Sequence, residues 1–307
     1  MNKHFWTLTD IPDLRGKTII VTGANSGLGF ESVKAFAGKG ANIIMACRSV
    51  DKGEKAKKQI LRIYKTATIQ VMELDLADLS SIRNFVSNFK QNNAHLDVLL
   101  NNAGVMIVPY CLTKDGFESQ MGVNFLGHYA LTGLLLDLLT KTPKSRVVNV
   151  SSLSHKQGIM DFANLLFEDA KDFKPMKAYG RSKLSILLFT YELQRFFESK
   201  GIDCIAVAAH PGVSNTYSSE REETSFSMKL FKTLFSYIMQ SAAMGALPQI
   251  RASVDSTVKS GEFYGPRGFL QLSGYPELVK PKRTALDIAN AHKLWEVSEK
   301  LTSVKFL

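Results

Sequence analysis

The chain has 307 residues, of which 45% are hydrophobic, and a formal net charge of +10 at pH 7. This length and composition suit one large domain or two small ones, and they exclude a disordered or low-complexity protein. The basic residues are scattered and lack interleaved aromatic residues, so we expect a solvated basic surface and no nucleic-acid partner, with polyanion binding as the alternative.

Short apolar segments recur along the chain and alternate with segments of helix length. The segments that predict strands are Thr18–Val21, Asn42–Ala46, Ile69–Leu74, Asp97–Leu100, Arg146–Val150 and Cys204–Ala208. Mixed apolar and charged residues at helical spacing predict helices at Glu31–Lys39, Lys52–Tyr64 and Ser80–Lys90. Because the strands are nearly continuous in Val, Ile and Leu, both of their faces should be buried. The predicted fold class is α/β, a doubly wound, Rossmann-like parallel sheet with helices on both faces, as a single domain over residues 1–307.

The first predicted strand continues into a glycine-rich turn, and a helix follows. The turn reads Thr22-Gly23-Ala24-Asn25-Ser26-Gly27-Leu28-Gly29. Glycine permits a tight turn and lets a pyrophosphate approach the N–H groups of the helix N-terminus, where the helix dipole favours negative charge. In this context the spacing TGxxxGxG predicts a dinucleotide-binding loop, and the alternative is a purely structural turn.

The end of the second predicted strand indicates which dinucleotide is bound. An acidic residue there would bind the ribose hydroxyl of NAD(H), whereas an arginine accommodates the additional phosphate of NADP(H). The strand ends in Cys47-Arg48, and no carboxylate occurs before Asp51. The forked guanidinium suits a phosphate, so we expect NADP(H) bound by Arg48. The alternative is that Arg48 is a surface cation and that Asp51 turns inward to bind NAD(H).

The glycine-rich turn and further motifs in chain order resemble the short-chain dehydrogenase/reductase family. The further motifs are Asn101-Asn102-Ala103-Gly104, Asn124, Ser152, Tyr179-x-x-x-Lys183 and Pro211-Gly212. Segments such as VNFLGHYALT and YGRSKLSILLF are most similar to retinol-dehydrogenase-like and WW-domain-oxidoreductase-like members and their bacterial relatives. The resemblance covers about residues 14–275, followed by a helical tail at 283–307. It implies hydride transfer between NADP(H) and a small-molecule carbonyl or alcohol.

The resemblance also implies the residues that contact the cofactor. Asp75 and Leu76 would contact adenine, although Asp75 could instead cap the helix that follows. Pro211 to Thr216 would lie around the nicotinamide carboxamide. The implied set is Gly23, Asn25, Ser26, Gly27, Leu28, Gly29, Arg48, Asp75, Leu76, Asn102, Ala103, Gly104, Tyr179, Lys183, Pro211, Gly212, Val213 and Thr216.

Tyr179 and Lys183 are four residues apart, so both point from one face of a helix. A free phenol has a pKa of ~10, and a nearby ammonium lowers that value because it favours the phenolate. Tyr179 is therefore the expected general acid in carbonyl reduction and general base in alcohol oxidation. The resemblance gives Lys183 a second role, a hydrogen bond to the nicotinamide ribose. The alternative is a solvent-facing pair of helix residues.

Two further residues complete the implied catalytic set. Ser152, in preference to its neighbour Ser151, would hold the substrate oxygen beside Tyr179 and stabilise the charge that develops there. Asn124 would hold a water through a backbone group and so connect Lys183 to solvent; the alternative is an ordinary capping or kink residue.

Two stretches interrupt the alternation of strands and helices. Leu153–Lys177 carries few regular signals, and the polar Ser214–Ser227 leads into the apolar Met228–Met239. Both follow predicted strand ends, so we expect them to form the substrate entrance, with the second acting as a lid. The alternative is that Met228–Met239 is a plain core-facing helix.

Other features set expectations about compartment and metal content. Segment 1–17 is mixed and polar, and the apolar runs are far shorter than the ~20 residues of a bilayer span, so we expect no signal peptide and no membrane span. Cys47, Cys111 and Cys204 are far apart and odd in number, which argues against disulfides and a zinc site. We expect three core-filling thiols, no metal and a cytoplasmic protein.

Some properties stay open at this point. The protein could bind NADP(H) without turnover, as a sensor or scaffold, although the intact set of Asn, Ser, Tyr and Lys argues against this. The substrate is not specified, and apolar content favours a lipophilic molecule only as much as core packing does. Many relatives form dimers or tetramers through the helices that flank Asn124 and Tyr179, so a homodimer or homotetramer is possible. His128, His155 and His210 are expected to be packing residues.

Overall fold

Eight strands form one sheet in the computed structural model, which describes residues 5–168, 170–213 and 240–306. The strands are β1 Thr18–Thr22, β2 Asn42–Cys47, β3 Thr68–Glu73, β4 Val98–Asn101, β5 Ser145–Val150, β6 Cys204–Ala209, β7 Phe263–Pro266 and β8 Pro276–Leu278. Their order is β3-β2-β1-β4-β5-β6-β7-β8, and all neighbouring pairs are parallel except β7 with β8. The predicted α/β class with a doubly wound sheet is confirmed.

Helices cover both faces of this sheet. They are α1 Gly27–Ala37, α2 Val50–Ile63, α3 Leu79–Asn92, α4 Ser119–Met121, α5 Gly127–Leu134, α6 Leu136–Lys141, α7 Pro175–Lys200, α8 Ala242–Val254 and α9 Ile288–Thr302. Alternate side chains of β1 enter different cores, since Ile20 belongs to the core that contains Phe85 of α3, and Val21 to the core that contains Val33 of α1. This burial on both faces explains the nearly continuous apolar sequences of the inner strands. The expectation is wrong for the edge strand β3, in which only Ile69 is buried.

The sheet changes direction between β1 and β4. From β1 the chain adds β2 and β3 on one side, and from β4 it adds β5 and β6 on the other. Open parallel sheets bind ligands beyond the carboxyl ends of the strands at such a point. The loops that follow β1 and β4 therefore position the candidate site.

The predicted strands β1 to β6 agree with the structure to within one residue at each end. β7 and β8 are not predicted from the sequence, and β8 makes the sheet mixed rather than wholly parallel. β8 also extends the sheet beyond residue 275, the expected limit of the core. Cys47 and Cys204 are buried as expected, but the expectation of a core-filling thiol is wrong for Cys111, which is exposed.

The irregular stretch Leu153–Lys177 contains short 3₁₀ turns at Leu153–Gln157 and Ala170–Asp172 before α7 begins at Pro175. The predicted lid, Ser214–Ser227 with Met228–Met239, lies outside the described residues. Within the ranges that the structure does describe, no helix is both long and apolar enough to cross a bilayer.

The predicted helical tail consists of a 3₁₀ turn, Arg283–Leu286, and α9. α9 packs on α5 and α7 through an aromatic cluster, in which the Trp295 and Phe306 rings lie 4.4 Å apart. The members of this cluster are Tyr129, Phe189, Phe196, Trp295 and Phe306. The outer faces of α5 and α7 are thus covered by a later part of the same chain.

Candidate active site

The glycine-rich turn brings β1 and α1 close together. Gly23 has a φ of +64°, in the left-handed region that favours glycine. A Cβ on Gly29 would lie 2.4 Å from the Gly23 carbonyl oxygen and 2.7 Å from Asn102 Nδ2. A larger residue at position 29 would therefore separate the turn from the helix.

The other predicted residues of the turn surround the start of α1. Gly27 is the first residue of the helix, and the exposed Ser26 before it makes no side-chain cap. Asn25 and Leu28 are half-buried. Since the first N–H groups of a helix have no partner within the helix, this end of α1 is suited to an anionic group.

Thr22, the last residue of β1, connects the glycine-rich turn to the loop after β4. Thr22 Oγ1 lies 2.9 Å from the backbone nitrogens of Asn102 and Ala103. Asn102 Nδ2 donates to the Thr22 carbonyl at 2.8 Å, and Gln249 Nε2 of α8 donates to Asn102 Oδ1 at 3.0 Å. The two loops that are predicted to bind the dinucleotide therefore form one hydrogen-bonded unit.

The residues that bear on cofactor choice lie beyond β2. Arg48 directly follows this strand and is exposed. Asp51, in the first turn of α2, is also exposed. Both side chains are accessible at the carboxyl end of the sheet, so both predicted cofactor alternatives are geometrically open.

The predicted adenine-contacting pair follows β3. Leu76 is buried, and Asp75 Oδ1 accepts the N–H of Ala77 at 2.9 Å. Asp78, not Asp75, caps α3, since Asp78 Oδ1 accepts the N–H of Ser80 at 2.8 Å. The alternative role of Asp75 as the helix cap is therefore wrong, and the cap lies three residues further on.

Asn124 lies in a π-helical turn, Gly122–Leu126, between α4 and α5. Its Oδ1 accepts the N–H of Val105 at 2.7 Å, and its Nδ2 donates to Ser182 Oγ on α7 at 2.9 Å. Asn124 thus connects the loop after β4 to α7. Its main-chain carbonyl accepts a hydrogen bond from His128 Nδ1 at 2.9 Å.

Tyr179 and Lys183 are both buried on α7, with 8% and 4% of their surfaces exposed. Lys183 Nζ donates to the Val150 carbonyl at 2.9 Å and lies 5.7 Å from the centroid of the Tyr179 ring. Burial lowers the pKa of Lys183 to about 8. A Cβ on Gly104 would lie 3.6 Å from Lys183 Nζ and 3.1 Å from Asn124 Oδ1, so these residues converge on one glycine.

The two serines after β5 have different surroundings. Ser151 is buried, and its Oγ donates to the Lys183 carbonyl at 2.8 Å. Ser152 is half-buried, and its Oγ accepts the N–H of Ser154 at 3.2 Å. The 3₁₀ turn that Ser152 begins packs against α7, where a Cβ on Gly180 would lie 3.0 Å from the Ser154 carbonyl. Ser152 is the more accessible of the two and lies beside the start of the Tyr179 helix.

The Pro211-Gly212-Val213 segment follows β6 at the same edge of the sheet. Gly212 donates its N–H to His210 Nδ1 at 3.2 Å, and His210 packs against Phe263 with ring centroids 5.2 Å apart. His210 therefore packs at the sheet end, as expected. Thr216 lies outside the described residues.

Arg181 is a residue of this region that sequence reasoning misses. It is fully buried and lies between Tyr179 and Lys183, the pair that is expected to be catalytic. Its guanidinium donates to the carbonyls of Ile159, Asn164 and Leu165 and lies 4.1 Å from the centroid of the Phe167 ring. Arg181 thus attaches the irregular stretch after Ser152 to α7.

Cys47 is more than a core-filling thiol, because it contacts the glycine-rich turn. Its buried thiol accepts hydrogen bonds from the backbone N–H groups of Ala24 and Asn25, and burial raises its pKa to about 11. The neutral thiol therefore stabilises the glycine-rich turn.

In the described part of the chain, no group of three His, Cys, Asp or Glu residues could hold a metal ion.

Known proteins share this sequence pattern over most of its length. A model of the family described as short chain dehydrogenase matches residues 17–165. Human retinol dehydrogenase 11 is 43% identical over 246 residues, covering 80% of this chain and 75% of that protein. Human retinol dehydrogenase 13 is 38% identical over 94% of this chain and 86% of its own length. Chicken WW domain-containing oxidoreductase is also 38% identical, over 94% of this chain and 69% of that protein.

Solved structures show the same fold. An uncharacterised protein from Mycobacterium paratuberculosis has a TM-score of 0.82 at 40% identity, covering 99% of this chain and 100% of that one. A short chain dehydrogenase from Shigella flexneri, complexed with NADP, has a TM-score of 0.64 at 22% identity, covering 82% of this chain and 97% of that one. The second likeness concerns the fold alone. From the fold and the retinol dehydrogenase relatives, the chain belongs to the short-chain dehydrogenase/reductase family.

Proposed function

We propose that this protein is an NADP(H)-dependent oxidoreductase that interconverts a carbonyl and an alcohol, with Tyr179 as the general acid/base. The observation that carries the proposal is the convergence of Asn124 and Lys183 on Gly104, one helical turn from Tyr179. This group lies at the carboxyl end of the sheet, where the hydrogen-bonded loops after β1 and β4 meet. Dinucleotides bind at such a position in open α/β sheets.

The chain's own residues account for the proton transfer. A bound nicotinamide would supply or accept the hydride at the substrate carbon. The Tyr179 phenol donates its proton to the carbonyl oxygen in reduction and takes it back in oxidation. The ammonium of Lys183, 5.7 Å from the tyrosine ring, favours the phenolate. Ser152 Oγ holds the substrate oxygen and stabilises the negative charge that develops on it.

The described residues fit a dinucleotide with an additional phosphate. Uncapped N–H groups at the start of α1 suit the pyrophosphate, and Gly29 leaves room for the close approach of the backbone. The exposed guanidinium of Arg48 at the end of β2 suits the 2′-phosphate of NADP(H).

Replacing Arg48 tests the cofactor assignment. Arg48→Ala should raise the Kd for NADPH about tenfold or more, which is the scale of a lost charge-assisted contact, while the Kd for NADH barely changes. Asp51→Ala, in the first turn of α2, is the matched control. If Arg48→Ala weakens both cofactors equally, or Asp51→Ala weakens NADH alone, the assignment to NADP(H) is wrong.

For the substrate we propose a lipophilic alcohol or carbonyl of the retinol and retinal type. Two of the relatives are named retinol dehydrogenases. Exposed apolar side chains flank the candidate site on the loop after Gly104 and at the start of α7, namely Met106, Ile107 and Met176. The stretch after Ser152 is the other part of the chain beside the site, and Arg181 holds it through the carbonyls of Ile159 and Leu165. A cytoplasmic location stays a prediction.

The decisive experiment measures NADPH oxidation at 340 nm against a panel of aldehydes and ketones that includes retinal. Tyr179→Phe should lose about 10²- to 10⁴-fold of the rate and still bind NADPH, because a phenyl ring fills the same space but transfers no proton. Tyr191→Phe, on the same helix, is the control. NADPH binding without turnover of any carbonyl would identify a silent binding protein instead.

A further inference from the structure

His128 is a buried imidazole that the proposed mechanism does not use. It lies in α5, one turn after Asn124, and only 4% of its surface is exposed. Burial lowers its pKa to about 4, so the ring is neutral at physiological pH. A neutral imidazole has one nitrogen that donates and one that accepts a hydrogen bond.

The two partners of the ring determine which nitrogen carries the proton. Nδ1 lies 2.9 Å from the main-chain carbonyl oxygen of Asn124, and a carbonyl can only accept. The proton is therefore on Nδ1. Nε2 is left as the acceptor, and it lies 2.9 Å from Thr22 Oγ1. The Thr22 hydroxyl therefore donates to Nε2 rather than to its more distant acceptor, the Leu100 carbonyl at 3.4 Å.

The hydroxyl of Thr22 extends this connection to the dinucleotide loops. Once its proton is directed at His128, its lone pairs are free to accept the N–H groups of Asn102 and Ala103, both at 2.9 Å. The result is one directed series of hydrogen bonds from the loop after β4, through Thr22 at the end of β1, to Asn124. Each member is buried or half-buried, so a missing partner would not be replaced freely by water.

The Asn124 carbonyl that His128 contacts lies in the π-helical turn Gly122–Leu126. Such a turn shifts the backbone partners by one residue, here with the N–H of Gly127 donating to the carbonyl of Gly122. The imidazole supplies a side-chain donor to the Asn124 carbonyl within this irregular turn. Asn124 in turn sets the backbone of Val105 and the Ser182 hydroxyl beside Tyr179 and Lys183.

We propose that His128 is a positioning residue. Through Thr22 it couples the position of Asn124 to the dinucleotide-binding loops. Only the expected effect on turnover, through Asn124, rests on the proposed function. A packing residue would need neither nitrogen, whereas here one nitrogen contacts Thr22 at the end of β1 and the other contacts the Asn124 carbonyl. Because of this coupling, the position of α7, which carries Tyr179 and Lys183, depends on the positions of the loops after β1 and β4.

Two amide variants separate the two contacts. In His128→Asn the amide nitrogen can take the place of Nδ1 and keep the contact with Asn124, but the contact with Thr22 is lost. In His128→Gln the amide oxygen can take the place of Nε2 and keep the contact with Thr22, but the contact with Asn124 is lost. Each variant has a matched control in His292→Asn and His292→Gln, because His292 is exposed on α9.

The measurements are the Kd for NADPH by fluorescence titration, kcat with retinal at saturating NADPH, and Tm. We expect His128→Asn to raise the Kd about tenfold with kcat reduced less than about threefold, since one buried contact is worth about that factor. We expect His128→Gln to lower kcat about tenfold with the Kd within about twofold of wild type. The His292 variants should match wild type.

A general loss of stability cannot raise the Kd alone in one variant and lower kcat alone in the other. If both His128 variants weaken Kd and kcat alike, in proportion to a fall in Tm, the residue is packing and the proposal is wrong. If the wild type itself turns over no carbonyl, the proposed function fails, and the NADPH titration alone then decides the link to Thr22. In that case, equal Kd values for His128→Asn and His128→Gln would overturn it.

Discussion

Lowering the pH from 7 to 5 should destabilise this fold, because its buried histidines are held neutral. Burial lowers the pKa of His128 to about 4 and that of His210 to about 3, and it also lowers the pKa of His155. In the unfolded chain an imidazole has a pKa near 6.5. The unfolded state therefore binds more protons below pH 6.5, and the free energy of unfolding falls as the pH decreases toward the folded-state values.

The size of the effect follows from these pKa values. At pH 5 an imidazole in the unfolded chain is almost fully protonated, whereas His128 and His210 in the folded protein are almost fully neutral. Each then removes about 2 kcal/mol from the free energy of unfolding, and His155 adds a loss of the same sign. Lys183, with a pKa of about 8, is protonated throughout this window and does not contribute. Glu118 contributes in the opposite sense, because burial raises the pKa of its carboxyl and the folded state therefore binds this proton more tightly than the unfolded chain.

Urea unfolding at pH 7, 6 and 5, followed by circular dichroism, measures this loss. Total stabilities are typically about 5–15 kcal/mol, so a decrease of about 4 kcal/mol is readily measured. The variant His128→Asn should show about 2 kcal/mol less difference between pH 7 and pH 5, and the exposed His292→Asn should keep the full difference. A free energy of unfolding that is constant from pH 7 to pH 5 would refute the reasoning.

Three further substitutions test other parts of the structure. Gly29→Ala should weaken NADPH binding at least about tenfold, because its Cβ would lie 2.4 Å from the Gly23 carbonyl; an unchanged Kd by fluorescence titration would contradict this. Trp295→Ala should lower the free energy of unfolding by about 3 kcal/mol in urea, and a loss below about 1 kcal/mol would mean that the aromatic cluster is loosely packed. Arg181→Met should leave the carbonyls of Asn164 and Leu165 without their donor, and limited proteolysis followed by mass spectrometry should then find new cleavage sites in that stretch; an unchanged digest would show that other contacts hold it.

The sequence predicts the central part of the fold because the strands there are buried on both faces. β1 has the apolar centre Ile-Ile-Val and is buried at every position, and β2 is apolar at every position but its first, so composition alone marks them. β7 contains Gly265 and Pro266, and β8 has three residues, so neither carries a periodic signal. These strands form because residues far apart in the chain pair with them, which no local pattern records.

The candidate site also contains some residues that the sequence predicts and others that only the tertiary structure reveals. The glycine turn and the Tyr179–Lys183 pair carry their chemistry in their spacing, and the structure places Asn124 and Gly104 beside that pair. Arg181 could not be predicted, since arginine is almost never fully buried and its acceptors are main-chain carbonyls that any residue could supply. The hydrogen-bond partners of His128 depend on where a helix crosses the end of β1, which only the tertiary structure sets.

The aromatic cluster on α9 has a consequence for the order in which the chain folds. Phe306 packs on Tyr129, and Trp295 on Phe189, so each contact spans more than a hundred residues of sequence. During synthesis α5 and α7 leave the ribosome well before α9, and their outer faces stay uncovered in that interval. Uncovered apolar surface of this kind makes folding intermediates prone to aggregate. The growing chain should therefore depend on chaperones until α9 has emerged, and contacts of such high sequence separation should make docking of this helix a slow, late step.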